Sequence, residues 1–279
     1  MVKVSELQAK NIMTKSNLPS FDFVINPYTG CAFACAYCYA NFMSRFVDEK
    51  AQDWGKFVYV KTNAVELLDT QLTKMRNKNK TIFMASVTDA WQYVEKNYEI
   101  TRNILKTFVK HDYPGKITCL TKSDLILRDI DLLTKLQNVE VGLTITSADN
   151  DLSRSLEVAA PNVEKRLAAL KQLNDAGIKT YAFIAPVLPY LIDNKQATEE
   201  LFKQIKLAGT NDIYIDLLNT KGYIKVVLDP HMQKQSSDIQ EKYEDMQNKA
   251  PSVNELRHFL YSLVKKYEFN LLNESKKEK

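Results

Sequence analysis

Asn26–Asn41, NPYTGCAFACAYCYAN, decides how the rest of the chain reads. It carries three of the four cysteines, Cys31, Cys35 and Cys38, in the spacing C-x3-C-x2-C. Three thiolates this close together can ligate three corners of an iron–sulfur cubane. The fourth iron is then left without a protein ligand and open to a small molecule. Tyr28, Phe33, Tyr37 and Tyr39 lie between and beside the cysteines. They can exclude water from a cluster, and burial is one lever on its reduction potential. The apolar run Phe23-Val24-Ile25 in front predicts a strand entering a loop. Gly30 allows a tight turn before the first ligand, and Ala32, Ala34 and Ala36 let the loop wrap closely.

Two other uses of the cysteines compete. Structural zinc takes four protein ligands, usually from paired short spacings. His111, His231 and His258 are all remote in sequence, so a zinc site would have to be completed in space. A disulfide framework is a poor reading, because three clustered cysteines and one distant one do not pair and no signal peptide is visible. The lack of a targeting signal favours the cytoplasm, which suits reduced thiols. The 279 residues, 45% hydrophobic, suffice for one large core. No apolar run approaches membrane-spanning length, so no membrane association is expected. Thirty-eight basic against 34 acidic residues give a net charge of +4, too mild to argue for nucleic acid by itself. Only seven glycines occur, with no Gly-rich phosphate loop.

Away from the cysteines the chain alternates between strand and helix patterns. Thr81–Val87, Lys116–Leu120, Val139–Ile145, Ile178–Ala185 and Asp212–Leu217 read as strands. With the strand before Asn26 they make six. Helices are expected at Tyr39–Val47, around Ala64–Met75, at Ile100–Val109, after an Asp129 N-cap, and at Val163–Ala176, Thr198–Leu207 and Val253–Tyr267. Gly177 stands where the residue closing the Val163 helix should. Repeated units of this kind imply a parallel sheet with ligands at the carboxyl ends of its strands. Residues 1–20 read as an irregular arm, 21–219 as the β/α unit, and 220–279 as an extension ending in a disordered charged tail, NESKKEK.

C-x3-C-x2-C with an aromatic before the last cysteine resembles the signature of the radical S-adenosylmethionine (SAM) superfamily. The segments VTDAWQYVEKNYEITR (87–102), TKSDLILRDIDLL (121–133), VGLTITSADNDLSRSLEVAAP (141–161) and AFIAPVLPYLID (182–193) narrow the likeness. They resemble the branch holding spore photoproduct lyase and the DNA-repair-photolyase-like proteins, over roughly residues 22–195. The resemblance implies an α/β fold, a partial (β/α)6 TIM-type barrel with a single 4Fe–4S cluster at its mouth. It implies SAM as cofactor, chelated at the open iron and cleaved by one electron to methionine and a 5′-deoxyadenosyl radical. It also implies an electron donor such as a flavodoxin or ferredoxin.

Carried over by position, Cys31, Cys35 and Cys38 are the cluster ligands and Tyr37 packs near adenine. Thr88 and Asp89 hold the SAM amino group, where a helix or turn cap is the competing use. Lys122 pairs with the SAM carboxylate, against a plain surface lysine. Thr144 and Thr146 reach the ribose or methionyl part, with Ser147 the alternative if the register slips by one; two threonines in a strand are also ordinary propensity. Ala185-Pro186 borders adenine or simply ends a strand. Arg128, Glu157 and Arg166 also fall on family positions, where an ion pair would give structural support. The family's Thr-Asp-Pro-Tyr-Gln-Pro-like run here reads Thr88-Asp89-Ala90-Trp91-Gln92-Tyr93. That puts the lyase's own substrate in doubt and leaves Trp91, Gln92 and Tyr93 to line a different pocket or to pack. Cys119 is a candidate for the hydrogen-donating cysteine of the lyase reaction, against its reading as a small buried hydrophobe. The expectation is an enzyme abstracting a hydrogen atom from a nucleic acid, a peptide or a small molecule, with a lyase acting on damaged DNA as one option. The rival is a non-catalytic iron–sulfur or zinc module in electron transfer or assembly.

Overall fold

The computed structural model of the protein describes residues 2–192 and 194–273. In chain order its strands are β1 (Lys3–Leu7), β2 (Met13–Lys15), β3 (Phe23–Ile25), β4 (Tyr28–Thr29), β5 (Phe57–Lys61), β6 (Ile82–Met84), β7 (Ile117–Thr121), β8 (Val139–Thr144), β9 (Lys179–Val187), β10 (Asp212–Leu217) and β11 (Asn270–Leu271). The six expected strands are β3 and β6–β10. They pair in parallel in sequence order, and the connections carry the helices Ile100–Lys110, Ile130–Leu133, Val163–Asp175 and Lys195–Leu207. β8 is buried along almost its whole length, as a parallel strand covered on both faces must be. The sheet is open. It reads β11-β10-β9-β8-β7-β6-β3-β2, with β2 antiparallel at one edge and β11 at the other. This is the partial-barrel α/β architecture, without closure.

Several boundaries differ from the sequence reading for local reasons. β6 stops at Met84, not Val87, because Ala85 turns left-handed at φ 70° and hands its N–H to Ile25. The turn sends residues 86–92 across the mouth. The helix after Cys38 is a 3-10 helix, Tyr39–Phe46. The first twenty residues are not an irregular arm: β1 lies parallel to β5, and β2 edges the main sheet. The extension forms helices Lys225–Met232, Ser237–Asn248 and Pro251–Lys266 before β11. The charged tail, beyond Asn273, falls outside the described residues. Gly177 does close the Val163–Asp175 helix, at φ 75°.

A second sheet, β1-β5-β4, stands beside the main one and backs the cysteine loop. Gly30 has φ 91°, and a Cβ there would come within 2.4 Å of the Phe57 carbonyl oxygen. Gly55 has φ 95°, and its missing Cβ would sit 2.4 Å from the Ala34 Cβ, inside the loop. Ala34 is itself left-handed. Gly55→Ala therefore combines backbone strain with overpacking and is expected to cost about 2–4 kcal/mol. Chemical denaturation of the cluster-free protein measures it, and a change below about 1 kcal/mol would mean that the loop yields freely.

Candidate cluster and cofactor site

Parallel pairing brings the ends of β3, β6, β7, β8 and β9 to one edge, and the cysteine loop leaves β3 there. The loop is held by residues distant in sequence. Ala36 donates its N–H to Leu156, Ala159 donates to Phe33, and Cys35 forms an isolated backbone bridge with Glu157. Tyr93 stacks edge-on against Phe33 and donates its hydroxyl to the Ala159 carbonyl.

Cys31 and Cys35 are buried and Cys38 is partly exposed. Burial pushes all three thiols upward, Cys31 well above its ordinary value and Cys35 to about 12. Mutual repulsion among the cysteines adds to the shift at Cys31 and Cys35, with Asp89 adding at Cys31 and Glu157 at Cys35. Thiolates gathered in such a place need a cation among them to ionise. Among the described residues, no three His, Cys, Asp or Glu side chains converge as ligands of one metal ion. A cubane takes its thiolates at separate corners. The donor set fits a three-cysteine cluster.

Lys122 follows β7 and holds its ammonium 5.5 Å from the Tyr37 ring centroid. Among the described residues it has no carboxylate within ion-pairing distance. Burial opposes its charge, but the Cys35 thiolate, Glu157 and Asp89 outweigh that and raise its pKa. This is a cation beside the cysteine loop, of the kind that pairs with an anionic ligand.

Thr88 and Asp89 reach the same mouth already engaged. The Thr88 hydroxyl donates to the Gly30 carbonyl at 2.7 Å. Asp89 Oδ1 accepts from the Trp91 N–H (2.9 Å) and the Thr121 hydroxyl (2.7 Å), and Oδ2 accepts from the Lys122 N–H (2.8 Å). Burial raises the Asp89 pKa against these three donors, and Oδ2 retains capacity for one more.

On the β8 side, Glu157 is the hub. Its Oε1 accepts the Tyr37 hydroxyl and, at 3.0 Å, that of Thr146; its Oε2 meets Arg166 Nη1 at 2.5 Å. Both partners of this ion pair are buried. Burial alone would raise Glu157, but Arg166, Lys122 and the Tyr37 hydroxyl lower it overall. Arg166 also donates to the carbonyls of Pro161 (2.7 Å) and Thr144 (3.3 Å). Thr144 therefore contributes its backbone to this pair, and Thr146 its hydroxyl. Ser147 is turned to its own backbone, accepting the Asp149 N–H.

Trp91 and Gln92 are both fully buried; Trp91 and Tyr93 line a cavity of about 280 Å³, whereas Gln92 only packs. Trp91 donates its indole N–H to Asp129 at 2.9 Å. Arg128 and Arg102 also hold Asp129, so its carboxylate serves that cluster instead of capping its own helix. Cys119 lies inside β7, fully buried, with Met84 Sδ 3.9 Å from its Sγ. It stops short of the strand end that faces the cysteine loop. Two surface cavities, of about 830 Å³ at Asp149–Glu200 and about 280 Å³ at Tyr93–Lys165, flank the mouth; neither is lined by a cysteine.

The Radical SAM superfamily profile matches residues 25–205, and the chain belongs to that superfamily. Its members use a 4Fe–4S cluster and SAM, and this protein is a radical SAM enzyme. A protein of Methanocaldococcus jannaschii is 40% identical over 221 residues, 79% of this chain and 80% of that one. A Mycobacterium tuberculosis protein is 27% identical over 256 residues, covering 88% and 75%. Among solved structures, a cysteine-to-serine mutant of spore photoproduct lyase superposes with a TM-score of 0.71 at 16% identity, over 96% of this chain and 81% of that one. A spore photoproduct lyase with bound SAM and dinucleoside spore photoproduct gives 0.70. Streptococcus suis SuiB bound to SAM gives 0.51 at 16% identity, over 89% and 48%. At these identities the structural likeness carries the fold alone. Among the described residues, no helix is long and apolar enough to cross a membrane.

Proposed function

We propose that Cys31, Cys35 and Cys38 hold a single 4Fe–4S cluster at which SAM is reductively cleaved, and that a substrate at the strand ends loses a hydrogen atom. The observation that carries this is the set of three thiols on one loop, two buried and one partly exposed, faced by the Lys122 ammonium, which among the described residues has no carboxylate within ion-pairing distance. When bound, the cluster and SAM supply one electron and a carbon-centred radical. The chain's own residues bind, orient and exclude water. Lys122 pairs with the SAM carboxylate, and Asp89 Oδ2, with Thr88 beside it, receives the ammonium. Tyr37, pinned by Glu157, packs against the adenine. Thr146 and Thr144 fix that wall through Glu157 and Arg166. The family match at residues 25–205 supports 21–219 as the catalytic unit, with 1–20 and 220–279 as flanking parts.

The test is the EPR spectrum of the anaerobically reconstituted, dithionite-reduced protein with and without SAM. A cubane signal that changes on adding SAM is expected. A signal indifferent to SAM would sink the assignments of Lys122, Thr88 and Asp89, and zinc in place of iron would sink the cluster.

For the substrate we infer damaged DNA as the first class to try. The support is the shared fold of a spore photoproduct lyase complexed with dinucleoside spore photoproduct, TM-score 0.69. If irradiated DNA shows no conversion of its thymine dimers back to thymines within the strand under reducing, anaerobic conditions, that class is ruled out in favour of a peptide or small molecule. The electron donor fitting this chemistry is a one-electron carrier such as a flavodoxin or ferredoxin.

A further inference from the structure

We propose that Gln92 is the positioning residue of the cysteine loop, fixing the backbone on both sides of Cys31 and so the setting of that thiolate. The proposal rests on the assignment of the cluster to Cys31, Cys35 and Cys38.

The Gln92 side chain is fully buried, and its amide bonds run to the backbone on either side of Cys31 and to Thr88 beside it. Its Oε1 accepts the Ala32 N–H at 2.8 Å. Its Nε2 donates to the Gly30 carbonyl at 3.3 Å and to the Thr88 hydroxyl at 3.0 Å. Thr88 passes its own hydrogen to the same Gly30 carbonyl. One amide thus brackets Cys31, satisfying the acceptor before it and the donor after it. Buried backbone groups of a loop have no strand or helix partner and must find one elsewhere. Here they find it on a side chain more than fifty residues away in sequence.

Gln92 is itself anchored to the cofactor mouth. Its N–H reaches the Asp89 carbonyl at 3.4 Å, and the Asp89 carboxylate is tied to Thr121 and the Lys122 N–H. A continuous set of bonds therefore runs from the end of β7 through Asp89 and Gln92 to Cys31. It fixes the first thiolate relative to the lysine proposed to hold SAM. A second consequence concerns the sulfur. Hydrogen bonds to cluster sulfurs are a principal lever on reduction potential. Gln92 takes up the Ala32 N–H, which would otherwise seek another acceptor beside Cys31.

The test uses Gln92→Met, close in volume and without the amide, and reads two signals. In the cluster-free protein, the alkylation rate of each cysteine by iodoacetamide is followed by mass spectrometry. At Cys31 it is expected to rise about tenfold, the change that follows from losing a hydrogen bond that restrains local opening, while Cys119 stays as in the wild type. In the reconstituted protein, iron content is expected to stay close to wild type while the g-values and the titrated potential shift. A folded Gln92→Met with wild-type Cys31 alkylation and an unchanged EPR signal overturns the proposal. If Gln92→Met does not fold, Thr88→Val carries the test. It removes the hydroxyl on Gly30 and keeps the bond to Ala32. A smaller rise at Cys31 supports the proposal, and a wild-type rate refutes it. A protein that takes up no iron in wild type and variant alike refutes the cluster assignment, while the alkylation result still decides the role of Gln92.

Discussion

Cys35→Ala is expected to leave a folded protein that holds no stable cubane and cleaves no SAM. Losing even an outer-shell partner of a metal ligand typically costs about 10–100-fold, so loss of a ligand should take reductive cleavage below detection. Cys35 is the sharpest of the three to test. It is enclosed by Lys122, Glu157 and Arg166, and its backbone is bridged to Glu157. Alanine keeps that backbone bridge, so the fold should survive. Iron and sulfide analysis with the reduced EPR spectrum reads the result. The control is Cys119→Ala, which removes a buried sulfur from the middle of β7. It should cost about 1 kcal/mol of packing and leave iron uptake alone. Full iron in Cys35→Ala, or iron loss in Cys119→Ala, would require a different ligand set.

Arg166→Leu is expected to destabilise the cluster-free protein by about 3–5 kcal/mol, the cost of stranding one member of a buried ion pair. At this chain size that is a fall in Tm of about 10 °C. Three losses coincide at this one side chain: the charge opposite Glu157, and the donors to the Pro161 and Thr144 carbonyls. Lys122 also faces Glu157 and softens the first loss. Replacing both members, Glu157→Leu with Arg166→Leu, should cost less than the sum of the single changes, because no charge is then left unpaired. Denaturant titration of the four proteins closes the cycle. Additive changes would mean that the pair is not coupled.

How far the sequence could be read follows from what each residue depends on. The six central strands are short apolar runs spaced by amphipathic helices, a pattern that needs no partner to be seen. The cysteine spacing is likewise local, and the parallel sheet then brings Thr88, Asp89, Lys122 and Thr146 to one edge. What stayed hidden depends on pairing. β4 and β11 span two residues each and β2 three, lengths that carry no periodic signal. β1 is half exposed and becomes a strand only because β5 lies alongside. Asp129 has the look of an N-cap, yet its carboxylate serves Arg102, Arg128 and Trp91. Gln92 gives no sign of its use, because the groups that it satisfies belong to a loop sixty residues away. Gly55 alone had a legible cue, a glycine next to the aromatic Trp54, but nothing in the sequence points from it to Ala34.

The bonds that close the cysteine loop also set a timetable. Its walls come from Gly55 and Phe57, from Thr88 and Gln92, and from Leu156, Glu157 and Ala159. The farthest of these walls, Ala159, lies more than a hundred residues beyond Cys38 in the chain, so the loop takes its shape only when distant segments have packed. Until then the loop lacks the partners that hold its backbone. A cluster held by these three cysteines would therefore be assembled on a loop whose walls have already folded around it.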